Sequence, residues 1–177
     1  MVEFAIVLLP VLLILVGIIQ FGILFGANVT LTNAAREGAR SATIYVYDRN
    51  HTKSWNDQQR CGAAVTAAKN AFGLLTATTP HFTVTLTSGA CPTMTGDTLV
   101  NGDVTISYCA YTLSPSGACP TTGNASTTCL PDTRQGCLVR VSLTYRSDIV
   151  VPLVDAFLTT DVNGLLVQRA TATMVLN

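Results

Sequence analysis

The first 27 residues, MVEFAIVLLPVLLILVGIIQFGILFGA, form one apolar run with a single ionisable side chain, Glu3. From Phe4 to Ala27 nothing is charged. As a helix that stretch would rise about 36 Å, enough to cross a hydrocarbon core ~30 Å thick. A chain with such a segment must keep it in a bilayer or in an equally dry protein assembly. A secretory signal peptide has a basic start, an apolar core of about 7–15 residues and a small-x-small cleavage site. Here no Lys or Arg precedes the run, and the run is longer than such a core.

A simple anchor would explain the hydrophobicity but not its continuation. The next stretch, NVTLTNAAREGARSATIYVY, has no Pro and one Gly, Gly38. One helix is therefore expected from residue 2 or 3 to about Tyr47, ~45 residues and ~68 Å long. Within it Pro10 lacks a backbone donor and should loosen or kink the helix. Gly17, Gly22 and Gly26 are small enough for a second helix to approach. The Gly22/Gly26 pair reads either as a helix–helix contact or as tolerated glycine. Gln20, the other polar side chain in the span, is expected to take an interhelical hydrogen bond.

Glu3 has two readings. It sits in interfacial water near the end of the span, or it lies at depth, where an acid costs ~2.5–3.5 kcal/mol and seeks a cation. The nearest basic side chain is Arg36, so the best partner at depth is an α-amino group, its own or a neighbour's. Farther along, Arg36, Glu37 and Arg40 form a charged cluster. It is either a solvated face or a set of charges docking the helix to its own head or to a neighbour, since Ala34, Ala35, Gly38, Ala39 and Ala42 leave room for close packing.

About 130 residues follow Tyr47, enough for one compact domain. The expected organisation is a membrane or filament-core helix over 1–47 and a head over 48–177. Charged residues make up 11% of the chain and the formal net charge is zero, which gives no footprint for nucleic acid. All six cysteines, Cys61, Cys91, Cys109, Cys119, Cys129 and Cys137, lie in the head. Their even number points to disulfides. No CxxC occurs, and His51 and His81 belong to no ligand pattern, so no metal is expected.

Residues 55–75 read as an amphipathic second helix. Period-two alternation marks strands at 81–87, 103–108 and 138–145, and 167–176 reads as the last strand. The expected fold is α+β: a long hydrophobic helix, then a disulfide-stabilised head with the second helix packed on an antiparallel sheet. Between Tyr111 and Gly136 runs a Thr-, Ser-, Pro- and Gly-rich loop bracketed by Cys109 and Cys137. The bracketing suggests a nested pairing: Cys109–Cys137 at the loop base, Cys119–Cys129 inside it, and Cys61–Cys91 holding the second helix. Three sequons begin at Asn28, Asn50 and Asn124, with Asn124 the most accessible candidate for a sugar. Thr also suits strands and turns, which accounts for the same composition without glycosylation.

No catalytic constellation is present in the sequence. The only glutamates are Glu3 and Glu37, no GxSxG or phosphate-cradling loop occurs, and Asp148 and Asp155 read as solvated ends of the IVVPLV run. Neither an enzyme nor a cofactor site is expected.

Val2-Glu3-Phe4, Pro10, Gln20-Phe21-Gly22 and the TNAAREGAR of Thr32–Arg40 together resemble the TadE-like family of pilin-related proteins. Residues 139–154 and 170–177 are similar to the family's last strands. The resemblance implies a type IV pilin-like or pseudopilin protein, first inserted in the cytoplasmic membrane and then extracted by an inner-membrane, ATP-powered assembly machine into an extracellular filament. It also implies that Glu3 meets the N-terminal amine of a neighbouring subunit. The acid stands third here, where the pattern commonly has it fifth after a basic leader, so the expectation is that either the leader is left out of this sequence or the processing site differs. Two alternatives accompany the filament subunit: a minor pilin assisting assembly, and a single-pass anchored binding module.

Overall fold

The computed structural model describes residues 2–73, 75–92, 97–110, 129, 133–149, 161 and 163–176. Helix α1 runs over Val2–Ile44 with Pro10 inside it. It stops three residues short of the expected Tyr47 because a second segment captures the chain there. The buried Asn56 side chain accepts from the Tyr45 hydroxyl (3.2 Å) and the Asp48 N–H (2.8 Å), and donates to the Asp48 carbonyl (2.9 Å). These bonds hold the turn that reverses the chain into helix α2, Lys53–Asn70. The Thr52 hydroxyl caps α2 by accepting the Trp55 N–H, which sets its start two residues before the expected one. Its end, at Asn70 rather than residue 75, lies just before Gly73 at φ +57°.

The two helices pack through small side chains. Leu31, Ala34, Ala35, Ala39 and Ala42 of α1 are fully buried, as are Ala64 and Ala68 of α2. At Gly38 a built Cβ would stand 3.0 Å from the Ala64 carbonyl and 3.3 Å from the Ala68 methyl, so a side chain there would press lightly on α2.

Four antiparallel strands form one sheet in sequence order: β1 Thr98–Asn101, β2 Val104–Ala110, β3 Cys137–Ser147 and β4 Leu166–Val175. Ile106, Val141 and Ala172 stand opposite one another across β2, β3 and β4, as do Val104, Leu143 and Ala170. All six face the helices and are buried. The period-two pattern thus does what alternation dictates, one face into the core and one toward solvent. The α+β expectation holds.

Two expectations about the head are corrected. Residues 81–87 are not a strand. The segment is held through side chains: the Asp103 carboxylate accepts the Thr83 N–H (2.7 Å), and Asn101 accepts from the Thr85 N–H (3.1 Å) while donating to its carbonyl (2.7 Å). The hairpin around Gly102, φ +61°, presents those two side chains, and a Cβ at Gly102 would overlap the Thr83 carbonyl. The strand at the sheet edge is instead β1.

The nested disulfide pairing is also overturned in part. Cys61–Cys91 forms as expected, but Cys137 bonds Cys129, so neither Cys109–Cys137 nor Cys119–Cys129 exists. Register gives the reason. Cys109 stands opposite Leu138 while Cys137 stands opposite Ala110, so the two cysteines point to opposite faces of the sheet. Cys109 is disulfide-bonded as well. Cys119, Asn124 and most of the 111–136 loop lie outside the described residues.

Candidate functional site

The head grips α1 from Gln20 upward and leaves the preceding turns bare. Gln20 is 2% exposed and donates from Nε2 to the Asp148 carbonyl at 3.3 Å. One turn higher, Gln168 of β4 donates to the Leu24 carbonyl at 3.0 Å. Ala27, Leu31, Ala34 and Ala35 then continue the buried stripe at i, i+3 and i+4 spacing. Below Gln20, by contrast, Phe4, Ile6, Leu9, Ile14 and Ile18 are all more than half exposed, and Leu8, Leu9, Leu12, Leu13 and Val16 line an apolar groove of about 360 Å³. Among the described residues this is one helix long and apolar enough to cross a membrane, and almost none of its apolar window is buried.

The sequence-derived contact residues divide between these two regimes. Phe4, Pro10, Gly22 and Gly26 are exposed, and Gly17 partly so; a Cβ at any of the three glycines would meet nothing within 4 Å. They lie open to a partner or to lipid. Gln20 bonds within its own chain. Arg36, Glu37 and Arg40 are exposed, and Glu37 pairs with Arg40 at 3.9 Å across one turn, an ion pair of little energetic weight in water. It is the small residues behind them that dock the helix to the head. The Glu3 side chain lies outside what the structure describes.

Sequence reasoning missed the strongest polar centre of the head. Arg134, 1% exposed, donates from Nε and Nη2 to Asp57 of α2 (2.8 Å at Nη2), and from Nη1 to Asp97 and the Cys129 carbonyl. Its guanidinium also lies 4.5 Å from the centre of the Tyr108 ring. This network ties Cys129 and Arg134 to α2 and to the entry of β1. An Asp and an Arg at Asp57 and Arg60 in an otherwise Ala-rich helix are the signal that could have pointed to it. On the opposite side, Arg146 joins Asp103 (2.6 Å) to Asp161 (3.3 Å). The Leu165 and Asn163 N–H groups hold the Asp161 carboxyl below the usual carboxylate range. Among the described residues no group of His, Cys, Asp and Glu could hold a metal.

A bare apolar half-helix thus runs unbroken into a disulfide-fastened head. The family model described as TadE-like protein matches residues 1–40, which covers the bare segment and most of the stripe that docks the head. That match suggests a pilin-like protein related to tight-adherence pili. No curated protein and no solved structure matches the chain.

Proposed function

We propose that this chain is a structural subunit of an extracellular, type IV pilus-like filament used in adhesion or surface attachment, polymerising through the bare half of α1. The observation that carries the reading is the segment below Gln20, whose apolar side chains are largely exposed and find no cover among the described residues of their own head. Covering ~1,000 Å² of it against other helices rather than water is worth ~25 kcal/mol before the entropic cost of association. Inside a bilayer lipid already covers it, so extraction needs a machine in the cytoplasmic membrane that does work. On this reading Phe4, Pro10, Gly17, Gly22 and Gly26 face neighbouring subunits, and the exposed Arg36, Glu37 and Arg40 lie where a neighbouring head can reach. Glu3 meets a neighbour's N-terminal amine.

The test is electron microscopy of sheared surface material labelled with an antibody to the head, for the wild type and for Glu3→Ala. Continuous label along fibres that disappears in Glu3→Ala, with the variant retained in the membrane fraction, supports the reading. Label at fibre tips only would make the chain a minor pilin. Label confined to cell bodies in both would make it an anchored module.

A further inference from the structure

At the end of α1 away from the membrane segment, about 36 Å above Gln20 by helical rise, lies a groove of about 320 Å³. That volume falls within the range of small-ligand sites. Tyr45 and Tyr47 supply aromatic walls, Thr133 and Gln135 supply hydrogen-bonding groups, and Arg49 and Arg60 supply positive charge. No carboxylate lines the groove among the described residues.

The two guanidiniums differ in how they are held. Arg60 is 2% exposed, and its Nε is buried without a hydrogen-bond partner. Its Nη2 donates to the Thr133 carbonyl at 3.2 Å, and Asp57 lies at 3.5 Å, shared with Arg134, which Asp97 also pairs. The inner wall therefore carries a buried guanidinium with one N–H that has no partner among the described residues. Arg49 is exposed at the rim. The nearest acid in sequence, Asp48, does not answer it: that carboxylate accepts from the Asn50 N–H (2.9 Å) and faces His51 Nδ1 (2.8 Å).

The geometry points to a binding site for a carboxylate-bearing saccharide. Arg49, exposed at the rim, is placed to take the carboxylate as a two-pronged donor. The tyrosine faces offer the flat apolar surface that a sugar ring covers, and Thr133 and Gln135 offer partners to its hydroxyls. A neutral sugar would leave the rim charge unanswered. The site rests on the reading of the head as the outward-facing part of the molecule, since it lies at the end farthest from the span.

The full chain in detergent micelles is titrated by calorimetry with a panel of carboxylated oligosaccharides (an oligogalacturonate, an oligomannuronate and a sialylated trisaccharide) and with the same compounds after reduction of their carboxyls to alcohols. Saturable binding of at least one acidic compound is expected, lost on carboxyl reduction, weakened roughly tenfold in Arg49→Ala and abolished in Arg49→Glu. Arg49 is exposed, so both variants should melt like the wild type. Absence of binding by every acidic compound, equal binding by the reduced ones, or unchanged binding in a folded Arg49→Glu overturns the proposal. The titration uses unassembled protein, so its failure leaves the fibre-labelling result untouched, and failure of fibre labelling leaves the titration readable.

Discussion

Two buried groups in the head make opposite demands on their surroundings. Arg134 is a non-glycine residue at φ +61°, a left-handed backbone that side chains disfavour, and it is held there by bonds to Asp57, Asp97 and the Cys129 carbonyl. Replacing it with Ala leaves Asp57, a carboxylate whose side chain is 4% exposed, with the longer Arg60 contact at 3.5 Å, and removes the ion-pair partner of Asp97. Arg134→Ala is expected to cost about 3–5 kcal/mol in denaturant unfolding, as for other broken buried pairs. Tyr108 is the second group. Burial pushes its phenol up to about 12, and among the described residues its oxygen has no well-formed hydrogen bond. Its folded pKa lies above the unfolded value of about 10, so this contribution to stability is complete below pH 10 and is lost as pH climbs toward 12, roughly 3 kcal/mol in all. Tyr108→Phe should be close to neutral at pH 7 and should flatten the fall in melting temperature between pH 10 and 12. An unchanged alkaline limb in the variant would assign the loss to other groups.

At the level of elements, close helix packing and sheet register decide most of what the head can tolerate. Gly62 of α2 faces the turn at Gly89, and a Cβ there would overlap the Gly89 carbonyl right beside the Cys61–Cys91 bond. Gly62→Ala gains helix propensity of at most about 1 kcal/mol but must push a disulfide-tethered backbone aside. Net destabilisation of about 1–3 kcal/mol is expected in thermal or urea unfolding. Gly38→Ala meets a milder contact and should lie closer to neutral, so the order of the two variants tests which contact limits α2. The same elements show how far sequence carries. The two helices and three of the four strands were legible because their apolar periods are long enough to read. The 81–87 segment alternates like a strand, yet its partners are the side chains of Asn101 and Asp103, and alternation says nothing about who supplies the hydrogen bonds. The true edge strand, Thr98–Asn101, is only four residues long, too short for a period to show. Cys61–Cys91 was read correctly, but the two loop pairings failed on a one-residue offset, Cys109 opposite Leu138, which fixes the face each sulfur occupies and cannot be seen without register. Arg134 was hidden because its acids lie 77 and 37 positions away.

For the whole molecule, the height at which the head meets the helix sets how the chain sits in a bilayer. The sequence suggested a span from Phe4 to Ala27. In the structure Gln20 lies under the head, and Asp148, whose side chain is 67% exposed, stands at the same height. Drawing residues 20–27 into hydrocarbon would carry that carboxylate with them, at a cost of several kcal/mol. The bare segment from residue 2 to residue 19 rises about 27 Å, close to the thickness of the hydrocarbon core. Phe21, Ile23 and Phe25 remain more than half exposed around the part of α1 that the head leaves open, so they fall in the headgroup layer. Aromatic side chains are at home there, and solvated polar residues begin only at Asn28 and Asn33. A tryptophan scan reads this depth directly. With the native Trp55 replaced by Phe, single variants Leu12→Trp, Phe21→Trp and Asn33→Trp are reconstituted into vesicles whose acyl chains are brominated near their ends. Fluorescence should be strongly quenched at position 12, partly at 21 and not at 33. Equal quenching at 21 and 12 would place the head within the bilayer surface and require Asp148 to be neutralised there. Absence of quenching at 21 would mean that the span is held shallower than its own length allows, leaving the lower aromatic collar for another protein chain to cover.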